Sequence, residues 1–127
     1  MSHFSRLKTK MVVREHLTGA LEDLGYHCEE GDVEIRGYGG NRTKVQIRVP
    51  TTNVGYDIGF TESGGSYALI ADWWGIHDVQ PEAFLRDLTR RYAYRATRAT
   101  LEEQGFALVD EEVAQDGRLH LTLRRSA

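Results

Sequence analysis

Asp57, Asp72 and the adjacent Trp73 and Trp74 are the residues whose types and spacing come nearest to a site. The two acids lie within stretches 56–60 and 67–73, which read as strands of one hairpin and would bring the carboxylates onto neighbouring strands. Carboxylates so paired can do acid–base work. The plainer reading is that Asp57 faces solvent and Asp72 accepts hydrogen bonds from backbone or indole N–H groups. The run Ser66-Tyr-Ala-Leu-Ile-Ala71 is apolar without alternation, which marks a central strand covered on both faces. Successive strand residues face opposite ways, so at most one tryptophan can face the core. Trp73 shares the parity of Tyr67, Leu69 and Ala71, and Trp74 is left outside. Tryptophan is rich in interfacial binding energy, although a Trp half covered by the following loop is the plainer outcome.

A second group is basic. Arg36-Gly-Tyr-Gly-Gly-Asn-Arg-Thr-Lys44 could let backbone N–H groups approach a phosphate, with Arg36, Arg42 and Lys44 supplying charge. No helix follows, and the spacing is not GxxxxGK(S/T), so a flexible basic hairpin loop is the plainer reading. Lys8, Lys10, Lys44, Arg48 and Arg124 occupy outward positions of expected strands. If those strands are neighbours they form a basic sheet face, with Tyr38 as a stacking surface, in the logic of an RNA-binding platform that lacks RNP-type aromatics. Arg91, Arg95 and Arg98 recur at i, i+4, i+7 on an expected helix, with Tyr94 on the flank. Such a stripe either pairs with acids such as Glu102 or docks an acidic partner.

Metal and nucleophile chemistry find little support. No two of His3, His16, His27, His77 and His120 have helical ligand spacing, and one cysteine allows no CxxC. His27 and Cys28 point to opposite faces of an expected strand. Cys28 is followed by acids, which disfavour a thiolate, and no Gly-x-Ser-x-Gly elbow exists. No catalytic residue, metal or cofactor is expected.

These residues must be positioned by two helices and a set of strands. Val13, Leu17, Ala20, Leu21 and Leu24 recur at helical spacing before Gly25; Leu85, Leu88, Tyr92, Ala96 and Ala99 do so between Pro81, with Asp78 as a cap, and Gly105. Alternation marks strands at 45–49, 56–60 and 119–123, and weaker ones at 4–11, 26–30 and 33–36. Loops at 62–66 and at Asp116-Gly117 close hairpins. Leu21-Glu-Asp-Leu-Gly-Tyr26 and Leu101-Glu-Glu-Gln-Gly-Phe106 form a faint repeat, so the order β-α-β-β-β-β-α-β-β divides into two βαββ halves. Residues 51–80 carry four acids and no Lys or Arg, which favours a cationic or neutral partner there. No run is apolar enough to span a bilayer, and no signal peptide opens the chain.

Met1-Ser-His-Phe-Ser5, Lys8-Thr-Lys10, Ala20-Leu-Glu-Asp-Leu-Gly-Tyr26, Arg36-Gly-Tyr38, Gly55-Tyr-Asp-Ile-Gly-Phe60, Ala71-Asp-Trp-Trp-Gly75 and Arg91-Tyr-Ala-Tyr94 together resemble one family. It is the hypothetical chloroplast reading frame thirty-five family of cyanobacteria and plastid genomes, with relatives in other bacteria and phages. The resemblance implies no particular activity. It implies an accessory role, because genes of the family sit near an AAA-type ATPase and another small protein. Val13, where an acidic helix cap is expected, and Gly39-Gly-Asn-Arg42 depart from the pattern.

The expected protein is one α+β domain over residues 1–127, a mostly antiparallel sheet with two helices on one face and the other face partly open. Its expected function is an accessory or protein-binding module, acting with an AAA-type ATPase or with a copy of itself. Asp72, Trp73, Trp74, Arg91, Tyr94 and Arg98 are the partner-binding residues. The alternatives are an RNA-binding module using Arg36, Tyr38, Arg42, Lys44 and Arg48, or a small enzyme or ligand carrier around Asp57, Asp72 and Trp74. No membrane contact is expected, and the cytoplasm or plastid stroma is the expected compartment.

Overall fold

Strands apolar on both faces need cover on both faces, and the fold supplies it in two different ways. The computed structural model describes residues 3–125; Met1 and Ser2 of the first resemblance word lie outside them. The elements run β1 (Ser5–Lys8), α1 (Arg14–Asp23), β2 (Glu29–Arg36), β3 (Arg42–Pro50), β4 (Asp57–Ser63), β5 (Ser66–Ala71), α2 (Pro81–Glu103), β6 (Phe106–Val113) and β7 (Leu119–Arg125). Single 3-10 turns lie at Tyr38–Gly40 and Trp73–Gly75. The order is the expected one and the fold is α+β. The strands, however, divide into a five-stranded antiparallel sheet, β1-β5-β4-β3-β2, and a separate β6–β7 hairpin. The strand expected over 4–11 is only four residues long, and those expected over 26–30 and 33–36 are one strand interrupted by a bulge.

Both helices cover one face. Leu17, Ala20 and Leu21 of α1 and Phe84 and Leu88 of α2 bury against Ile47, Val49, Ile58, Phe60, Leu69 and Ala71. α1 begins at Val13 without a side-chain cap. Its entry is instead held by Tyr92, whose hydroxyl accepts the Val12 and Val13 N–H groups at 3.0 and 2.9 Å. The expected Asp78 cap of α2 is absent. Gln80 occupies the cap position, and Asp78 accepts from the Thr52 N–H and hydroxyl and from the Asn53 amide, tying the β3–β4 loop down.

Part of the second face is covered by the β2–β3 hairpin folded back on its own sheet. Arg42 pairs with Arg36, while Pro50 pairs with Asp57. In a flat sheet the eight steps from Arg42 to Pro50 would hold these pairs about 26 Å apart. The Arg36 N–H nevertheless donates to Asp57 Oδ2 at 2.9 Å. The bend has visible joints. β3 leaves β4 after the Ile47–Phe60 pair, and the Gln46 side chain, in place of the departed backbone, accepts the Glu62 N–H at 2.8 Å. A bulge between Glu30 and Val33 lets β2 follow, with Gly31 at φ 121°. Val45 therefore leaves the core of Ile47 and Val49 and packs with Ile35, Ile70, Phe4 and Val33. The β1 end of that face stays open, as expected of a partly open face, since Arg6 and Lys8 opposite Ile70 and Ala68 are exposed. Strand parity cannot reveal that a hairpin bends over the rest.

Gly59 is what lets the hairpin seat. A Cβ there would lie 2.7 Å from Val45 Cγ1 and 2.9 Å from Ile35 Cγ2. We expect Gly59→Ala to cost about 2 kcal/mol by overpacking, with faster amide exchange in residues 33–45 and little change in α1. Denaturant unfolding combined with hydrogen exchange measures both, and unaltered protection over 33–45 would count against the seating role.

Candidate functional site

Three chain segments meet where β4 begins and β5 ends, and the folded-back hairpin presses onto them. Asp57 is fully buried. Its Oδ2 accepts the Arg36 N–H and, at 3.0 Å, Arg36 Nε; its Oδ1 accepts Arg36 Nη2 at 3.2 Å. Arg48 adds Nη2 at 3.5 Å from Oδ1 and itself bonds Glu29 at 3.1 Å. Burial pushes the Asp57 carboxyl up, but the Arg36 hydrogen bonds and the Arg48 charge outweigh it, and the group lies below its ordinary range. Asp57 is therefore a held carboxylate with no proton to give at neutral pH. The expectation that it faces solvent is wrong, because the partner that buries it arrives from a distant part of the chain.

Asp72, also buried, accepts the Tyr38 N–H on Oδ2 at 3.0 Å, a backbone hydrogen bond as expected. Gly37 makes the approach close: a Cβ there would stand 3.1 Å from Asp72 Cβ and 3.0 Å from the Phe4 ring. The two acids adjoin, since Ile58 pairs with Ala71, but each is committed to fastening the hairpin tip. That arrangement gives the reading of an enzyme or carrier around Asp57, Asp72 and Trp74 no accessible carboxylate pair.

The tryptophans separate as strand parity implies, although they sit on a 3-10 turn and not on the strand itself. Trp73 packs against Phe84 of the helix-covered core, with its indole Nε1 buried and, among the described residues, unbonded. Trp74 is 60% exposed, and its ring meets the 45% exposed Tyr38 edge-on at 5.3 Å between centroids. Tyr56 lies across Gly75, so close that a Cβ on Gly75 would fall 2.1 Å from the ring. Loss of hydration, then the Asp72 charge, raises the Tyr56 phenol above its usual range. Tyr56, Gly37, Gly59 and Gly75 carry no chemistry of their own and were not singled out from the sequence. The resemblance words contain all four.

The remaining candidates disperse. Arg91 and Arg95 both reach Asp23 at 2.7 Å, and Arg95 crosses α1 where Gly19 leaves room. Hydrogen bonding from Arg95, above all, holds the Asp23 carboxyl down at about 2. Arg98 pairs with Glu102 at 2.6 Å and donates to the buried Tyr94 hydroxyl, which donates to Glu111. The stripe is thus matched by acids of α1, α2 and β6. Arg36 and Arg48 hold a carboxylate and not a phosphate, Lys44 lies 3.8 Å from Asp32, and Arg42 is exposed on the hairpin tip. Lys8 and Lys10 lie at or beyond the end of the β1 edge, separated from β3 by β5 and β4, and Arg124 sits in the other sheet, so the basic positions do not form one face. Of the four acids in residues 51–80, two are buried and Asp78 is internally bonded, which leaves little acidic surface. Burial lifts the Cys28 thiol to about 11. Among the described residues no group of three His, Cys, Asp or Glu could hold a metal, and no helix is long and apolar enough to cross a membrane.

A family described as "Protein of unknown function (DUF1257)" matches residues 20–122. The chain is similar to the uncharacterized protein ycf35 of Guillardia theta, 37% identical over 131 residues and 98% of each chain. It is 33% identical over 128 residues to the ycf35 protein of Cyanophora paradoxa and 31% identical over 131 residues to that of Pyropia yezoensis, again over 98% of each chain. No solved structure matches it.

Proposed function

The chain belongs to the DUF1257 family of proteins of unknown function, and from that premise we propose that it is a protein-binding accessory module whose docking surface centres on Trp74 and Tyr38. One observation carries the reading. Two large aromatic rings are kept exposed on a backbone that is pinned from beneath by Asp72 and Gly75. Folding alone has no need of this, since Trp73 fills the core and Trp74 does not. A rigid exposed aromatic pair binds with little loss of side-chain freedom, and such residues dominate interface energetics. The neighbouring acids are neutralised inside the fold, so the patch suits a largely apolar partner surface. An AAA-type ATPase is the partner we put first, in the cytoplasm or plastid stroma. The ion-paired Arg91, Tyr94 and Arg98 then serve to hold α1 and β6 on α2.

Trp74→Ala provides the test. Exposed side chains away from special contacts change stability by no more than about 0.5 kcal/mol, so the unfolding midpoint should hardly move. Affinity for a purified AAA-type ATPase from the same host, measured by calorimetry, should fall about 30-fold, as for an interface hot spot of about 2 kcal/mol. Equal affinity of wild type, Trp74→Ala and Tyr38→Ala for the ATPase would remove the aromatic patch as the docking surface. Absence of any binding by the wild type would remove the ATPase as the partner.

A further inference from the structure

We propose that β7 is a docking strand, whose outer edge receives an extended segment of a partner protein alternating apolar and acidic residues. The inference rests on the reading of the chain as a protein-binding module, but it uses a second surface, at the other sheet. Four strand edges are unpaired among the described residues: β1, β2, β6 and β7. Proteins blunt such edges with short strands, bulges and charge. β1 is only four residues long, while β2 and β6 each carry a bulge, between Glu30 and Val33 and between Leu108 and Asp110, along with runs of acids. β7 is seven residues long, carries no bulge, and confines its fixed charges to Arg124 and Arg125 at its end. It is left open at the margin of a two-stranded sheet, an assembly that is marginal without a third strand or further packing.

The side chains of β7 specify the occupant. Leu119, Leu121 and Leu123 share one half-buried face, and the first two border an open groove of about 390 Å³ that Ala93, Tyr94 and Thr97 of α2 help to line. The opposite face carries exposed His120, Thr122 and Arg124. A strand added at the edge must set apolar residues beside the leucines and anionic residues beside His120 and Arg124. β6 already does so in part, with Leu108 opposite Leu123, Val113 opposite Leu119 and Glu112 opposite His120, whereas Glu111 stands opposite Leu121 and Ala107 opposite Arg124. A second copy of β7 fits badly. An antiparallel pair centred on Thr122 would put each His120 opposite an Arg124, a like-charge contact whenever the histidine is protonated, and would offer no acid to either.

The first half of the chain shows the same unit completed. α1 and α2 end alike, with Leu24 at φ −84°, ψ 1° before Gly25 at φ 92°, and Gln104 at φ −85°, ψ 6° before Gly105 at φ 90°. Each is followed by an aromatic residue and a hairpin, β2–β3 in one case and β6–β7 in the other. β3 then gains β4 on its free side, whereas β7 gains nothing from its own chain. The docked segment would stand where β4 stands.

Strand addition draws affinity from main-chain hydrogen bonds and specificity from alternate side chains. The probe is therefore an N-acetylated eight-residue peptide alternating Val and Glu, with a Val–Lys peptide as control, titrated into the full chain by calorimetry with hydrogen exchange in parallel. We expect the acidic peptide to bind at least 10-fold more tightly than the basic one and to slow amide exchange within residues 119–125. The exposed changes His120→Glu and Arg124→Glu together should reverse the preference, and Trp74→Ala should bind the peptide as wild type does. Failure of the acidic peptide to bind, protection outside β7, or an unchanged preference in the charge-reversed variant overturns the proposal. Concentration-dependent association of the chain through β7, seen by sedimentation, overturns it in favour of a second copy. Loss of peptide binding in Trp74→Ala places the contact on the aromatic patch and also overturns it.

Discussion

Replacing Asp57 by alanine should destabilise the protein by about 3 kcal/mol, at the lower end of the range for breaking a buried pair by removing one member. The carboxylate is wholly inside, while its two arginines keep 36% and 24% of their side-chain surface, so water relieves part of the charge left behind. What it cannot relieve is the Arg36 N–H, which loses its acceptor beneath the hairpin. Asp57→Asn separates these contributions, since an amide oxygen can still take the N–H but brings no charge. The pH dependence has a definite sign. The folded carboxyl lies below its unfolded value of 3.8. Its contribution is therefore complete above that value and disappears as pH falls through the folded value. Urea unfolding of wild type should show this acid limb at pH values below about 4, and Asp57→Asn should make it shallower, leaving the part due to Asp23, whose carboxyl is also held down. A loss under 1 kcal/mol in Asp57→Ala, or an unchanged acid limb in the asparagine variant, would mean that the hairpin is held down by Val45 and Ile35 alone.

That cluster also marks where reading the sequence stops working. Periodicity reports local geometry, and it located α1, α2 and the alternating strands because Leu17, Leu21, Phe60 and Leu69 each bury on the side their own spacing dictates. It also separated Trp73 from Trp74. It had no access to the bend at Gln46, where a side chain replaces a backbone acceptor, so Asp57 looked solvent-facing, Arg36 looked free to meet a phosphate and Arg48 looked like part of a basic sheet face. Val45, Ile47 and Val49 share one parity and still end in two different cores. The start of α1 shows the same limit: no acid caps it at Val13, and Tyr92, 79 residues away, holds the Val12 and Val13 N–H groups instead. The resemblance words held more than their chemistry showed. Phe4, Arg36-Gly-Tyr38, Gly55-Tyr-Asp-Ile-Gly-Phe60 and Ala71-Asp-Trp-Trp-Gly75 are far apart in the chain, and they converge on the one corner where the hairpin meets the sheet.

Gly75→Ala should be the most damaging of the small changes at that corner, costing about 2–3 kcal/mol by overpacking. Gly75 has an ordinary backbone, outside the left-handed region, so strain of the main chain plays no part. The cause is contact: the new methyl would stand 2.1 Å from Cε1 and Cζ of Tyr56 and 2.4 Å from Cε2. The methyl points into the plane of the ring, not towards a flexible end, so the ring must leave or the 3-10 turn carrying Trp74 must shift. Either movement displaces the aromatic pair from its base, and partner binding should fall with stability, whereas Trp74→Ala lowers binding alone. The double variant Tyr56→Ala with Gly75→Ala discriminates between causes. If the ring is the obstacle, adding Gly75→Ala to Tyr56→Ala should cost far less than adding it to wild type, a non-additivity expected only between touching residues. Equal cost in both backgrounds would assign the role of Gly75 to the turn itself, and the tyrosine would no longer account for how Trp74 is held outward.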